Sequence, residues 1–317
     1  MTRKGEKEML TQTSQTILNT MQVRKTRKQK AAFRAWLTDE LTGMGYTPKT
    51  EKSFAARNVV VGDPERAEVI LGAHYDTCAV MPVPNFITPR SLFWYGLYQI
   101  LLTAGIFLLA IGAEVLTLLL FDPPLPVALG VMYVAVMVCL GLLMAGPANK
   151  HTANDNTSGV VTLVEAAAAL PPELRERVCL VFFDNEELGM LGSSAFAKAH
   201  KRVRKETPVL NFDCVGDGSS LQFFPSKGAK KDEALMARLA AAFPGEGEKS
   251  AEVVTGFGFY PSDNMQFAKG VGVCALKKSP LFGWYMDRIH TNKDTVLEGE
   301  NIRFLCRGVL RFLQLPQ

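Results

Sequence analysis

The hydrophobic and polar positions of this 317-residue chain follow two alternating periods, one helical and one extended. Residues 5–45 place apolar side chains at helical spacing until Gly43 and Pro48 end the pattern, which predicts two helices covering one face of a sheet. The β-branched runs ARNVVVGD and AEVILGAHYD follow, bounded by Gly, Asp and Pro. These runs predict two adjacent strands.

The second half of the chain repeats this alternation. TSGVVTLVEAAAAL predicts a helix that ends at Pro171, and ERVCLVFFDNEE predicts a fully buried strand because its apolar run is continuous. The later segments, alternately helix and strand, are LGMLGSSAFAKAHKRVR, TPVLNFDCVGDG, DEALMARLAAAF, GVGVCALKK and the final helix ENIRFLCRGVLRFLQ. The expected fold is α/β, with a mostly parallel mixed sheet, helices on both faces and a ligand site beyond the carboxyl ends of the strands.

Two long apolar runs interrupt the alternation. Residues 97–121 contain one charged side chain, Glu114, and residues 127–145 contain none, with DPPLP as a turn between them. At about 1.5 Å per residue each run covers roughly 30 Å of hydrocarbon, which predicts a membrane hairpin in contact with lipid through residues 97–145. A re-entrant lid or a dimerisation arm is the alternative. The expected organisation is one catalytic α/β domain with an inserted hairpin, bounded at 1–90, 91–147 and 148–317.

The charge and the cysteines narrow the class of protein. A net charge of +4, with basic and acidic residues interspersed, gives no reason to expect nucleic acid as a partner. The basic run VRKTRKQK at residues 23–30 is interpreted as the solvated start of a helix, with a juxtamembrane patch as the alternative. Six cysteines without CxxC spacing are typical of buried apolar residues in a reducing compartment.

Acidic and imidazole side chains follow the apolar runs at five places. A carboxylate-rich set with two histidines and no sulfur suits divalent cations of the zinc or manganese type, two of them bridged by one carboxylate. Burying this much negative charge without a cation is very costly. The residues are His74 with Asp76, Asp155, Glu186 with Glu187, Asp213, and His290.

These motifs, in this order, resemble the M28 family of metallo-aminopeptidases, whose glutaminyl-cyclase branch shares the fold. The resemblance covers almost all of the chain outside the apolar insert. The motifs that carry it are KQKAAFRAWLTDELTGMGY, NVVVG, GAHYDT, NDNTSGV, FFDNEELGMLGS, LNFDCVG, SDNMQF and IHTNKDT.

The resemblance implies a metal-dependent aminopeptidase that releases N-terminal residues from peptides. Two zinc ions are expected, with manganese or cobalt as alternatives. By similarity, one ion is held by His74 and Asp213, the other by Glu187 and His290, and Asp155 bridges them.

The resemblance also implies two roles beside the metals. Glu186 becomes the general base that activates a water, and Asp76 orients the ring of His74. Two other functions remain open on the same fold. A glutaminyl cyclase uses a single zinc and closes a ring without attack by water, and a catalytically silent membrane scaffold keeps the fold without the activity.

The chain departs from the family pattern at two positions. Asn264 stands where the family commonly has a histidine after Ser-Asp, and Ile289 stands where some members have a tyrosine. The group that stabilises the oxyanion is therefore open, and Tyr260 and Tyr285 are the candidate substrate-binding aromatics. His151 is interpreted as an ordinary loop residue.

The charges beside the insert predict its orientation. Arg90 and Lys150 flank the apolar runs, whereas the turn carries only Asp122, which by the positive-inside rule puts the catalytic domain in the cytoplasm. The N-terminal residues contain no apolar segment typical of a cleavable signal peptide. Because the hairpin leaves between His74 and Asp155, the site is expected close to the cytoplasmic face of the membrane.

Overall fold

A computed structural model of the chain describes residues 10–245 and 249–316. The nine strands within these residues are β1 Lys49–Lys52, β2 Arg57–Val61, β3 Val69–His74, β4 Val178–Phe183, β5 Val209–Phe212, β6 Ser220–Pro225, β7 Ser250–Val253, β8 Gly270–Ser279 and β9 Gly283–Tyr285. The eleven α-helices of the same residues are α1 Gln12–Thr20, α2 Arg27–Gly43, α3 Leu92–Phe121, α4 Leu125–Ala145, α5 Gly159–Ala169, α6 Pro172–Arg175, α7 Leu191–Ala199, α8 Lys201–Lys205, α9 Lys227–Lys230, α10 Glu233–Ala242 and α11 Gly299–Gln314.

The strands form one mixed sheet with a parallel centre. Their order is β1-β2-β4-β3-β5-β8-β6-β7, and β9 pairs with β8. The central strands β4, β3, β5 and β8 are parallel to one another, and β3, β4 and β5 are buried along their whole length. Continuous apolar runs are expected in strands covered on both faces. The predicted mixed α/β sheet is therefore confirmed.

The predicted adjacency of β2 and β3 is wrong. β4 lies between them, antiparallel to β2 and parallel to β3. Val181 of β4 is opposite Val60 of β2 on one side and opposite Gly72 of β3 on the other. Consecutive β-branched runs indicate that strands exist but not how they pair, because a parallel partner arrives only after a long crossover connection.

Helices cover both faces of the sheet. One face packs against apolar residues of α1, α2, α5, α10 and α11, which form the larger core. The other face packs against α7 and α8 through Phe196, Ala197 and Val203. The helical stretch predicted at residues 5–45 contains α1 and α2, and its first five residues lie outside the described part of the chain. Helix α2 begins after Thr26 in a reciprocal capping box with Gln29.

Four strands were not recognised from sequence. The edge strands β1 and β7 have the short polar sequences KTEK and SAEV, which lack an apolar alternation. β9 has only three residues, and β6 ends in a proline that argues against a central strand. Their positions follow from pairing with β2, β6 and β8, which is tertiary information.

The apolar insert forms two long antiparallel helices, α3 and α4. Each is long and apolar enough to cross a membrane, and only 6% of the most apolar window of either helix is buried. In these two fully described helices the buried residues are Ala110 and Ala128. Many of the larger apolar side chains, such as Leu108 and Leu119, are exposed.

The ends of the insert are paired next to the sheet. Ala79 and Ala148 form an antiparallel bridge, and the amide of Val80 donates to the carbonyl of Pro147 over 2.9 Å. The amide of Asn149 donates to the carbonyl of Cys78 over 3.1 Å. We call these paired residues, 78–81 and 147–149, the stem. The stem returns the chain to the sheet close to the point where it left.

Candidate metal centre

The predicted site residues converge at the carboxyl edge of the central strands. His74 is the last residue of β3, Asp213 directly follows β5, and the Glu186–Glu187 pair lies in the loop after β4. Adjacent parallel strands end at the same edge of a sheet, so these side chains are brought together by topology. Asp155 comes from the segment before α5, and the loop after β9 supplies His290. All of these residues meet in one cluster.

Asp155 is shared between two groups of side chains. Its Oδ1 lies 3.4 Å from Nε2 of His74, and that nitrogen lies 3.6 Å from Oδ1 of Asp213. Its Oδ2 lies 3.0 Å from Nε2 of His290, and that nitrogen lies 3.4 Å from Oε2 of Glu187. Each group offers nitrogen and oxygen atoms close enough to surround one cation.

Glu186 and His290 form the accessible side of the cluster. Their side chains are 16% and 23% exposed, whereas those of His74, Asp155 and Asp213 are exposed by 9% or less. Glu186 approaches His74 with Oε2 4.0 Å from Nε2. A molecule that reaches the cluster therefore meets Glu186 and His290 first.

Asp76 positions its neighbours in two ways. Its carboxylate accepts hydrogen bonds from the amides of Glu186, at 3.0 Å, and Glu187, at 3.2 Å. Its backbone carbonyl lies 3.1 Å from Nδ1 of His74, while its carboxylate Oδ1 is 3.6 Å from the same nitrogen. The carbonyl is therefore the closer partner of the His74 ring, and the carboxylate fixes the backbone of the two glutamates.

Asp294 supports Asp155 from behind and was not singled out from sequence. This buried carboxylate accepts hydrogen bonds from the amides of Asn154, at 2.7 Å, and Asp155, at 2.9 Å. Burial raises the pKa of Asp294 to about 8. Its place in the IHTNKDT motif was the available signal, although one aspartate four residues after a histidine is weak evidence by itself.

The stem of the insert holds the loop that carries His290. The amide of Met81 donates to the carbonyl of His290 over 2.7 Å. The side-chain amide of Asn149 donates to the carbonyls of Thr291, at 2.9 Å, and His151, at 2.6 Å. The stem is therefore in direct contact with the loop that carries His290.

Two cations of the basic run at residues 23–30 are buried beside the cluster. Arg24 donates to the carbonyls of Tyr75 and Met21 and to the Thr157 hydroxyl, and burial lowers its pKa to about 10. Lys30 is also buried and binds Asp184 at 2.7 Å. The interpretation of this run as wholly solvated is therefore wrong at Arg24 and Lys30, because both satisfy buried acceptors.

The electrostatics of the cluster reflect an excess of carboxylates. Burial raises the pKa of Glu187 to about 8. Burial opposes the charged form of Asp155, but hydrogen bonds with His290 and His74 lower its pKa. Against the effect of burial, Glu187 and Asp155 raise the pKa of His290 to about 9. The buried Oε1 of Glu187 has no hydrogen-bond partner among the described residues.

This donor set fits zinc. Two imidazoles and several carboxylates are ligands that zinc accepts, and an acceptor atom without a partner at Glu187 is a position where a cation replaces a missing donor. The thiol of Cys78 also lies in this group, within 4.8 Å of ligand atoms of Asp155, Glu187 and His290. Burial raises its pKa well above the usual value. Its single sulfur, without a second cysteine at CxxC spacing, gave no signal in the sequence.

The other three residues considered from sequence differ in their contacts. The hydroxyl of Tyr260 donates to the carbonyl of Asp213 over 3.0 Å, and the residue is buried. Tyr285 packs its ring 5.6 Å from that of Phe86 and is half-buried. His151 is exposed in a loop, as expected. Because the hydroxyl proton of Tyr260 is used in the hydrogen bond to Asp213, it is not free to stabilise an oxyanion.

Comparison with known proteins supports the fold and gives the family. A search of curated proteins gave no match. A zinc-dependent exopeptidase from Parabacteroides distasonis superposes with a TM-score of 0.59 at 17% identity, covering 95% of this chain and 96% of that one. The glutaminyl cyclase of Porphyromonas gingivalis gives 0.59 at 16% identity, covering 95% and 96%. The LapA aminopeptidase of Legionella pneumophila gives 0.55 at 15% identity, covering 96% of this chain and 67% of that one.

At these identities the solved structures show a shared fold, and the family assignment comes from the sequence. The family model described as Peptidase family M28 matches residues 137–301, which is more than half of the chain. The matched range contains Asp155, the glutamate pair, Asp213 and His290. The chain belongs to peptidase family M28.

Proposed function

We propose that this protein is a metal-dependent aminopeptidase that uses two zinc ions to hydrolyse N-terminal residues from peptides. The observation that carries the proposal is that the two carboxylate oxygens of Asp155 face two different groups of side chains. His74 and Asp213 lie on the side of Oδ1, and Glu187 and His290 lie on the side of Oδ2. A carboxylate shared in this way suits a bridging ligand. His74 and Asp213 would hold one ion, and Glu187 and His290 would hold the other.

Zinc bound here supplies a lowered pKa for a water molecule and polarises a peptide carbonyl. The protein supplies the proton transfers: the carboxylate of Glu186 accepts the proton of the water and returns it to the departing amine. Asp76 accepts hydrogen bonds from the backbone amides of both glutamates and so fixes their orientations. In this proposal the Glu187 side chain faces the metals and the Glu186 side chain faces the substrate. Glu186 is accessible enough to meet a peptide.

We further propose that α3 and α4 span a membrane and leave the catalytic domain, residues 1–90 and 148–317, in the cytoplasm. Both helices lie mid-chain and expose their apolar side chains, so neither resembles a buried core helix or an N-terminal signal sequence. At about 1.5 Å per residue the 21 residues of α4 are about 31 Å long, close to the hydrocarbon thickness of a bilayer. The ammonium of Lys25 also binds the carbonyl of Met144 at the same end as Arg90 and Lys150, which supports the positive-inside orientation.

Two substitutions test the catalytic proposal. Glu186→Gln keeps the size of the side chain but cannot accept the proton, so we expect turnover of short peptides to be lost while zinc content stays at the parent level. Glu187→Gln is the matched variant of the neighbouring residue, and we expect it to lose zinc. Metal content by mass spectrometry and amino acids released from peptides are the two measurements.

Several results would contradict the assignment. Equal loss of metal in both variants would show that the two glutamates have been given the wrong roles. Ring closure of an N-terminal glutamine, without release of amino acids, would identify a glutaminyl cyclase. Purified protein that binds no zinc, manganese or cobalt would favour a silent scaffold.

Membrane fractionation tests the hairpin. An integral protein stays in membranes washed with alkaline carbonate, and we expect retention here. Protease should digest the catalytic domain only when the cytoplasmic side is exposed. Release into the carbonate wash would instead favour a lid or a dimerisation arm.

A further inference from the structure

Exposed apolar side chains surround the base of the hairpin, on the first turn of α3 and on loops outside both long helices. Phe257 is 55% exposed and Leu281 is 63% exposed, and Val83, Phe93 and Phe259 are exposed as well. We call these five residues the base surface. Soluble proteins rarely expose contiguous apolar patches, so a surface of this kind indicates a binding partner.

The base surface is joined to the first turns of α3 by aromatic contacts. The ring of Trp94 lies 5.1 Å from that of Phe282, next to Leu281 in the chain. The ring of Tyr95 lies 5.8 Å from that of Phe259, whose amide donates to the carbonyl of Pro89 over 2.8 Å. The loops around residues 257 and 281 are therefore fixed against α3.

The turn between β8 and β9 has the composition of a membrane-interface segment. Leu281 stands at its tip, and behind it the ammonium of Lys278 lies 5.2 Å from the ring of Trp284. Lys277 makes a similar contact, 5.4 Å from the ring of Tyr285. Aromatic rings and long basic side chains behind an apolar tip are favoured where lipid headgroups meet the hydrocarbon.

We infer that the base surface inserts into the headgroup layer of the bilayer that the hairpin spans. The inference rests on the proposed membrane-spanning role of α3 and α4. Lipid is the expected occupant because α3 enters the bilayer at this place. The first turns of α3 pack against the loops that carry Phe259 and Leu281. Lys278, exposed behind the tip, favours anionic headgroups, whereas Lys277 is paired with Asp217 and Asp287.

This contact brings the catalytic residues to the membrane surface. Phe86 packs against Tyr285, and the amide of Met81 binds the carbonyl of His290. His290 belongs to the accessible side of the cluster. The structure thus favours, as substrates, peptides whose N-termini lie at the bilayer interface.

Depth-dependent quenching tests the inference with the full-length protein. In a Cys139→Ala background the remaining cysteines are buried, and single cysteines can carry a polarity-sensitive fluorophore. The variants Phe257→Cys and Leu281→Cys test the base surface. The variant Leu108→Cys reports on the hairpin, and Ala234→Cys is the control. Ala234 is exposed on α10, beside Pro208 and Lys269 at the opposite edge of the central strands.

The labelled protein is reconstituted in vesicles of phosphatidylcholine and phosphatidylglycerol with brominated acyl chains. Labels at 257 and 281 should lose most of their fluorescence when the bromines are shallow, and the label at 108 when they are deep. The label at 234 should be unaffected. Quenching at 108 without quenching at 257 and 281 would overturn the base-surface inference and leave the spanning hairpin intact.

Two further results are informative. Absence of quenching at all positions would overturn the membrane-spanning proposal itself. Cross-linking of residue 281 between two chains, without quenching there, would identify a second copy as the occupant and overturn the inference. Vesicles without bromine supply the reference intensity for each label.

Discussion

At the residue scale, the cluster depends on side chains that touch no metal position. Asp294 illustrates this, because its two carboxylate oxygens bind the amides of Asn154 and Asp155 and so fix the direction of the shared carboxylate. Hydrogen bonds from backbone amides to a buried carboxylate are among the stronger ones in proteins. Asp76 does the same for the two glutamates.

We therefore expect Asp294→Asn to weaken zinc binding by about 10- to 100-fold, the usual effect of losing a residue that orients a ligand. The amide group cannot accept from both backbone amides, so Asp155 loses its fixed orientation. Zinc titration with a competing chelator measures the change. The matched control is Asp232→Asn, which breaks a remote ion pair with Lys269 at 2.6 Å and should leave zinc affinity unchanged. Parent-level affinity in the Asp294 variant would contradict this account.

At the element scale, the sequence predicted the type of the recognised elements better than their positions in the sheet. β4 was recognised from its continuous apolar run, β3 from a β-branched run and β5 from the alternation of helix and strand. Their carboxyl ends lead to the glutamate pair, His74 and Asp213. The insertion of β4 between β2 and β3 was not predictable, since it depends on a crossover connection. Side chains that support the site by binding backbone carbonyls, as Arg24 does, are not marked by any local sequence pattern.

Contacts between elements also make stability depend on pH. His200, between α7 and α8, binds Glu51 of β1 at 3.1 Å and Glu65 at 3.0 Å, and Glu65 is shared with Arg202 at 3.8 Å. The hydrogen bond with Glu51, together with Glu65 and against the effect of burial, raises the pKa of His200. Because the folded pKa exceeds the unfolded value near 6.5, the stabilisation is complete below about pH 6.5 and is lost as the pH rises through the folded pKa.

We expect His200→Gln to lower the free energy of unfolding at acidic pH and to have little effect at alkaline pH. Partly exposed ion pairs contribute on the order of 0.2–1 kcal/mol each, so the difference is small but measurable by denaturant titration in detergent. His151→Gln, at an exposed histidine, is the control. The same loss of stability at acidic and alkaline pH would show that the ring acts by packing alone.

At the scale of the whole molecule, the described residues connect the α/β domain to the hairpin at the stem, at the first turns of α3 and at the end of α4. The stem keeps Cys78 and Asn149 together, and Asn149 also holds the loop after His290. The stem therefore supports the His290 side of the site, and the long helices α3 and α4 contact mainly each other.

Replacing residues 103–143 with a short Gly-Ser linker should give a protein that stays in solution without detergent. Zinc binding and hydrolysis of short soluble peptides should persist, because the stem and the first turns of α3 remain. Gel filtration, metal content and peptide release measure the three properties. Loss of metal from a folded, soluble variant would show that the hairpin forms part of the site.

The two helices of the hairpin differ in length, and the difference sets the distance that an anchored substrate has to cover. α3 has 30 residues and α4 has 21, so α3 extends beyond its partner by about 13 Å at 1.5 Å per residue. On the proposed topology this segment lies in the headgroup layer beside the base surface, and an anchored substrate has to cross the same layer to reach the site. An extended chain covers about 13 Å with roughly four residues. Lipid-anchored peptides should therefore be trimmed only when at least about four residues project from the hydrocarbon, and cleavage should stop at that remnant. A series of anchored peptides of increasing length would show this limit.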